Sequence, residues 1–158
     1  MSAKPNFPVE EATIADAHTA INQGHLTACA LVDAYLVCAD ASDQQRSTIN
    51  SLVDLDNIAQ TYVDELDTSF AVSGAFSGLP HGVPILVKDS VEATSMPSTQ
   101  GIVGMAEDRP AIGATVIAKL KAVAAIIFRR DERAGFFGLM VKPYAFEQAT
   151  YPTRCSCF

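Results

Sequence analysis

The chain is short of basic residues, of cysteine and of long apolar runs, and each shortage closes off a class of function. Lysine and arginine number 11 against 18 aspartates and glutamates, for a net charge of −7. A nucleic-acid-binding face needs clustered cations, and so does adhesion to anionic lipid, so neither partner is expected. The longest apolar run near the end of the chain, Ala122 to Phe128, falls far below the roughly 20 residues of a membrane-spanning helix. The opening stretch MSAKPNFPVEEATIADA holds no apolar segment of the kind that directs secretion. Four cysteines (Cys29, Cys38, Cys155 and Cys157) follow no disulfide-framework spacing and read as reduced thiols of a cytoplasmic protein. Cys155-x-Cys157 lacks a second ligand pair, so no metal site is expected, and no cofactor is implied.

The chain has apolar residues in plenty, at 49% of its 158 residues, enough for a sizeable core in one domain or part of one. Thr13 with Asp16 forms a capping-box start. Ile14, Ala17 and Ile21 follow at helical spacing, and Gly24 supplies a stop. Thr27 caps a second helix with Leu31, Ala34, Tyr35 and Cys38 on its inner face. Residues 49–55 read as a strand. Asp56 opens a helix with Ile58, Tyr62, Val63 and Leu66 inside, and residues 73–80 form a Gly/Ser/Pro loop. GVPILVKD reads as a buried strand without a polar face. A long loop spans residues 89–113, and a helix over Ala114–Val123 buries Val116, Ile117, Leu120 and Val123. AAIIF is a further buried strand, ending at Phe128. Strand, loop, helix and strand in this order predict a parallel crossover unit of an α/β fold.

In the stretch GLPHGVPILVKDSVEATSMPSTQG, Lys88 and Asp89 end an apolar strand and a loop rich in Ser, Thr, Pro and Gly follows. Ligands of open parallel sheets sit outside the carboxyl ends of the strands. A lysine in an apolar setting there has its charged form disfavoured and serves as a base. Ser90, Ser95, Ser98 and Thr99 offer hydroxyls nearby, and Gly101 lets backbone N–H groups approach a substrate. A serine–lysine hydrolase and a strand that simply meets water at its end both fit these residues, as does a Schiff-base lysine. His18, His25 and the run RRDER (residues 129–133) read as solvated residues, and His81 as a loop residue.

The same stretch resembles the amidase signature family, whose members carry Leu-x-Gly-Ile/Val-Pro-x-x-x-Lys-Asp followed by a Thr- and Gly-containing loop. TAINQGHLTACALVDAYL, INSLVDLDNIAQTYVDELD and GATVIAKLKAVAAIIF extend the resemblance over roughly Ile14 to Phe128. It implies a partial amidase-signature fold: N-terminal helices plus a few mostly parallel strands of a mixed sheet. It also implies hydrolysis of a small-molecule amide substrate at the carboxamide C–N bond by a Ser-cisSer-Lys triad, in which the lysine activates the nucleophilic serine through the bridging serine. Of that triad the lysine maps here, at Lys88, with Asp89 as its structural neighbour and Ser90, Thr99 and Gly101 as support.

The chain departs from the family pattern at several places. Ser90 replaces Asn, Gly113-Ala114 replaces Asp-Ala, and Val123-Ala124-Ala125 replaces Ala-Gly-Ala. After Phe128 the Gly-Lys-x-Asn segment is missing, and no Gly-Ser-Ser-Gly-Gly segment occurs in the 158 residues. Residues 1–128 carry 15 acidic and 6 basic residues, whereas 129–158 carry 3 acidic and 5 basic together with 6 of the 12 aromatics. The expectation is therefore an amidase N-terminal part over 1–128, joined to an unrelated, irregular tail over 129–158 and inactive by itself. The alternative is a non-catalytic interaction protein, associating with itself or another chain through exposed apolar surface.

Overall fold

The computed structural model describes residues 7–39, 41, 52–55, 59–99 and 103–131. Its elements are α1 (Ile14–Asn22), α2 (Ala28–Ala39), β1 (Leu52–Leu55), α3 (Ala59–Ser73), β2 (Pro84–Lys88), α4 (Thr115–Ala122) and β3 (Ile126–Asp131), with a 3₁₀ turn at Val103–Met105. Among the described residues the strands form one mixed sheet in the order β1-β3-β2. β2 runs parallel to β3, as the crossover pattern predicts, and β1 runs antiparallel to it. β3 extends three residues past Phe128, and its register with β2 slips between Ile85 and Leu86.

The helix starts follow from local hydrogen bonding. At α1 the Thr13 hydroxyl accepts the Asp16 N–H at 3.2 Å while the Asp16 carboxylate accepts the Thr13 N–H at 3.0 Å, the reciprocal box expected from sequence. The Thr13 hydroxyl also donates to the Asp16 carboxylate at 2.6 Å, and this bond, with the one from the Thr13 N–H, holds the Asp16 carboxyl below its usual range. Thr27 accepts the Ala30 N–H at the start of α2. A second cap comes from α3, where the two Asp67 oxygens accept the N–H groups of Ala28 at 2.8 Å and Cys29 at 3.0 Å. A carboxylate at a helix N-terminus meets the positive end of the helix dipole as well as unpaired donors. Asp67 therefore fixes the crossing of α2 and α3. Sequence spacing gives no sign of this, because its two partners lie about forty residues away.

The helix ends contrast glycine with alanine. After α1, Gly24 at φ +71° passes its N–H to Ile21, and His25 reaches back to Ala20. After α4, Ala124 at φ +60° does the same toward Lys121, and Ala125 toward Leu120. Both ends are Schellman closures. The left-handed conformation costs an L-residue roughly 1–2 kcal/mol, so Ala124 carries strain at a position where the resembling family has glycine. Its buried methyl partly offsets that strain within the apolar cluster it joins.

The core lies on both faces of β3. Ile126 packs with Val32, Val63 and Leu66 of α2 and α3, while Ile127 packs with Val87, Met96 and Ile117 on the opposite face. Alternate side chains of one strand thus hold two layers, as the period of two requires. Ala17 and Ile21 of α1 pack in a further cluster with Leu26 and with Leu31 of α2. Three positions depart from the expected core. Ile14 lies at the exposed margin of α1, Val116 is 53% exposed and Leu86 54% exposed. β2 is therefore not covered on both faces: Ile85 and Val87 meet α4, whereas Leu86 points to the face that α2 and α3 cover over β3 alone. Asp56 and Ile58 lie outside the described residues, as does the chain beyond Asp131.

Gly82, just before β2, combines φ +71° with a tight contact: a Cβ there would lie 2.9 Å from the Ala28 Cβ. Gly24 has the same φ and open space around it. Gly24→Ala is expected to cost about 1 kcal/mol of stability in urea denaturation. Gly82→Ala is expected to cost roughly 2–4 kcal/mol, because overlap with a buried methyl adds to the backbone strain. Equal costs would show that α2 does not press on this turn.

Candidate active site

β2 delivers Lys88 to the carboxyl end of the parallel pair, level with Asp131 of β3 in the strand register. The apolar run that precedes it forms the strand, and the strand stops because Lys88 begins a turn in which its C=O accepts the Val91 N–H at 2.9 Å. Lys88 is exposed, so it is not embedded among apolar side chains as the sequence suggested. Ser90 is exposed beside it.

The next residue goes the other way. Asp89 is 3% exposed, and its carboxyl group accepts the Thr99 hydroxyl at 2.7 Å and the Thr99 N–H at 3.3 Å. Thr99 is 1% exposed. The buried Ser98 hydroxyl donates to the Asp89 C=O at 3.1 Å. Residues 98 and 99 are thus folded back onto the strand end, ten positions after leaving it. Between them the loop drops Ala93 and Met96 into the apolar cluster with Val87 and Ile127, which anchors it independently of the hydrogen bonds. Further ties hold the loop from outside. The Ser98 N–H donates to the Asp108 C=O at 2.8 Å, the Ala114 N–H to the Glu92 C=O at 2.8 Å, and the Arg109 guanidinium to the Ser95 C=O at 3.0 Å.

The structure therefore brings Lys88, Asp89, Ser90 and Thr99 to one strand end, with Asp89 and Thr99 as buried structural partners and Lys88 and Ser90 facing solvent. Gly101 lies outside the described residues. Ser98, a neighbouring hydroxyl in the sequence reading, directs its proton to a backbone carbonyl, which suits it to holding the loop. Such an arrangement presents a lysine on a held backbone at the carboxyl end of the parallel β2–β3 pair, where it can exchange protons with a bound group.

Other reactive side chains are placed elsewhere. Burial pushes the Cys29 thiol up, and the negative charges of Asp33, Asp64 and Asp67 push it further, which disfavours the nucleophilic thiolate. Cys38 is disulfide-bonded, a correction to the reading of all four cysteines as reduced thiols. Among the described residues no group of three or more His, Cys, Asp or Glu could hold a metal, and no helix is long and apolar enough to cross a membrane. An open groove runs along α3 from Thr61 to Ser73 and includes no residue of the Lys88 region. His81, expected to be an ordinary loop residue, is buried against Phe70, Phe76 and His18. No spacing rule marks it, since its partners come from α1, α3 and its own turn.

Comparison with known proteins gives the same outline. The amidase family profile, described as "Amidase", matches residues 30–132. The chain is 31% identical over 144 residues to one subunit of the glutamyl-tRNA(Gln) amidotransferase of Chloroflexus aggregans, a match covering 89% of this chain and 28% of that protein. It is 29% identical over 123 residues to the indoleacetamide hydrolase of Bradyrhizobium diazoefficiens, covering 78% of this chain and 23% of that protein. The peptide amidase of Stenotrophomonas maltophilia superimposes with a TM-score of 0.76 at 25% identity, over 82% of this chain and 26% of that one. The chain spans between 11% and 28% of the lengths of the curated relatives it matches.

The Asp89–Thr99 bond gives a direct test of how the loop is held. Thr99→Val keeps the shape but removes the hydroxyl donor from a buried carboxyl group, and is expected to lower stability by about 1–3 kcal/mol. Ser90→Ala, on the exposed side of the same turn, is expected to change it by less than about 0.5 kcal/mol. Urea denaturation of the two variants checks the difference.

Proposed function

The chain belongs to the amidase family, and from that premise we propose that it carries, at Lys88, the lysine base of a carboxamide-hydrolysing centre. The observation that carries this reading is the position of Lys88: it ends the parallel strand β2 and is followed by the buried Asp89 that clasps the returning loop. In the family mechanism the lysine takes a proton from the bridging serine, which in turn takes the proton of the nucleophilic serine as that oxygen attacks the amide carbon. Backbone N–H groups then stabilise the oxyanion, and the protons return to the leaving amine. A base in this role has to be held by its backbone and left with a mobile head group. The clasp supplies the first and the exposure of Lys88 the second.

Asp89 and Thr99 act as positioning residues in this scheme, and Ser90 and Gly101 lie on the same segment as support for the substrate side. The 158 residues contain no Gly-Ser-Ser-Gly-Gly segment. The chain on its own thus provides the base without the nucleophile, and by itself it is inactive. The substrate class is a small carboxamide, by analogy with a relative named indoleacetamide hydrolase and a structural neighbour named peptide amidase. A second reading, a non-catalytic partner of another polypeptide, draws on the same missing segment and on the exposed Leu86 face of β2.

A chimera separates the two. Residues 30–132 are placed in the corresponding part of a working peptide amidase, which then supplies the serines. The chimera is expected to release ammonia from a peptide amide, and Lys88→Ala in the chimera to reduce kcat by about 10²–10⁴, the usual worth of a general base. A folded, active chimera indifferent to Lys88→Ala would remove the catalytic reading and leave the second.

A further inference from the structure

The turn that leads into β2 is held by two imidazoles whose surroundings differ in sign. His81 is 3% exposed. Its Nδ1 lies 3.2 Å from the Ser77 amide nitrogen, which donates to it. An N–H donor demands a bare lone pair, so His81 is neutral with its proton on Nε2. His18, on α1, places its Nε2 3.0 Å from the His81 carbonyl oxygen. A carbonyl only accepts, so His18 Nε2 carries a proton. The two rings meet across Phe76, which stacks on His18 at 4.0 Å and tilts against His81 at 5.3 Å.

We propose that His81 is a proton-operated latch on the Ser77–Gly82 turn, closed when its ring is neutral and opened when Nδ1 takes up a proton from solvent. Protonation places an N–H on Nδ1 facing the Ser77 N–H, so an attractive contact becomes donor against donor. The same proton on His18 breaks nothing. The Nε2–H bond to the His81 carbonyl survives, and the cation sits over the Phe76 face, a favourable arrangement. The latch is therefore one histidine, not the pair.

The charged and titratable groups around the His81 ring are few. α1 contributes His18, which repels a second positive charge, and α3 contributes Asp67, which favours one. α2 meets the turn through Ala28, which is uncharged, and residues 77–80 carry no ionisable side chain. Burial is the largest influence and, with His18, outweighs Asp67, so the imidazole is held below its usual range. The sign of the linkage follows. A histidine whose folded pKa is depressed contributes stability fully above its unfolded value of about 6.5. That contribution is lost as pH falls below this value toward the folded pKa, because the unfolded chain takes up the proton first.

The consequences stay close to the turn. Gly82 donates to the Ala124 carbonyl at 2.8 Å, and the Val83 carbonyl accepts the Ile126 N–H at 3.0 Å. These are the first links between β2 and β3, and they follow His81 directly. Opening the latch loosens the entrance of the strand that ends at Lys88. The inference stands without any assignment of catalysis to that lysine.

The test is made by NMR on the whole chain from pH 7.5 to 5. Long-range ¹⁵N–¹H spectra of the imidazoles are expected to show His81 as the Nε2–H tautomer at pH 7.5. Protection of the Ser77 amide from hydrogen exchange, corrected for the intrinsic pH effect, is expected to be lost progressively as pH falls below about 6.5 toward 5. His81→Asn, whose Oδ1 replaces Nδ1 as a non-titrating acceptor, is expected to hold that protection constant, and His18→Gln to leave the fall in place. An Nδ1–H tautomer for His81 in the wild-type chain would overturn the proposal, as would unchanged Ser77 protection there. So would a fall that persists in His81→Asn. The wild-type spectra decide the matter even if a variant fails to fold.

Discussion

The structure depends on a single constraint: one strand, β3, must satisfy two apolar layers at once. Ile126 and Ile127 are neighbours in sequence, yet each is buried in a different cluster, one closed by α2 and α3 and the other by α4 and the loop after Lys88. Burying a side chain of this size contributes about 1.5–3 kcal/mol, so slipping the strand by one residue would exchange the two faces and lose both contributions together. The pairing of β2 with β3 inherits its register from this demand. The height at which Lys88 leaves the sheet therefore traces back to two isoleucines on the neighbouring strand.

The loop after the strand adds a second level of control. A segment of ten residues tied only by exposed polar contacts would wander, because fixing each backbone unit costs roughly 1–2 kcal/mol. Here Ala93 and Met96 are sunk in the core, and Asp89 holds Thr99 from the strand end. Ordering costs are met by burial first, and the hydrogen bonds select one arrangement among the buried ones. Lys88 leads into this loop, so its backbone is held at both ends of the turn while its own side chain is exposed.

Much of this was legible in the residues. The capping box at Thr13–Asp16, the glycine stop at Gly24, the Thr27 cap and the β2–helix–β3 crossover all rest on local rules, and all are present. Lys88 and Asp89 stood out because an apolar run ended in two charges. Less visible were features that join distant parts of the chain. Asp67 reads as a surface carboxylate of α3 until α2 is set against it, and His81 reads as a loop residue until Phe70, Phe76 and His18 surround it. The exposure of Leu86 and Val116 was missed for a related reason: periodicity tells which side chains share a face, but not how far the covering layer extends. At Ala124 the sequence showed only a departure from the family's glycine, and its left-handed backbone at φ +60° became visible in the structure alone.

On the proposed reading, these 158 residues hold Lys88 as the base of an amide-hydrolysing centre without its nucleophile. Ammonia release from a simple primary carboxamide, measured on the purified chain after cooperative unfolding has established that it is folded, tests this most directly. The account predicts no release above the uncatalysed rate, with or without Lys88. Turnover that disappears in Lys88→Ala would contradict it, because a nucleophile would then have to exist among the residues of this chain.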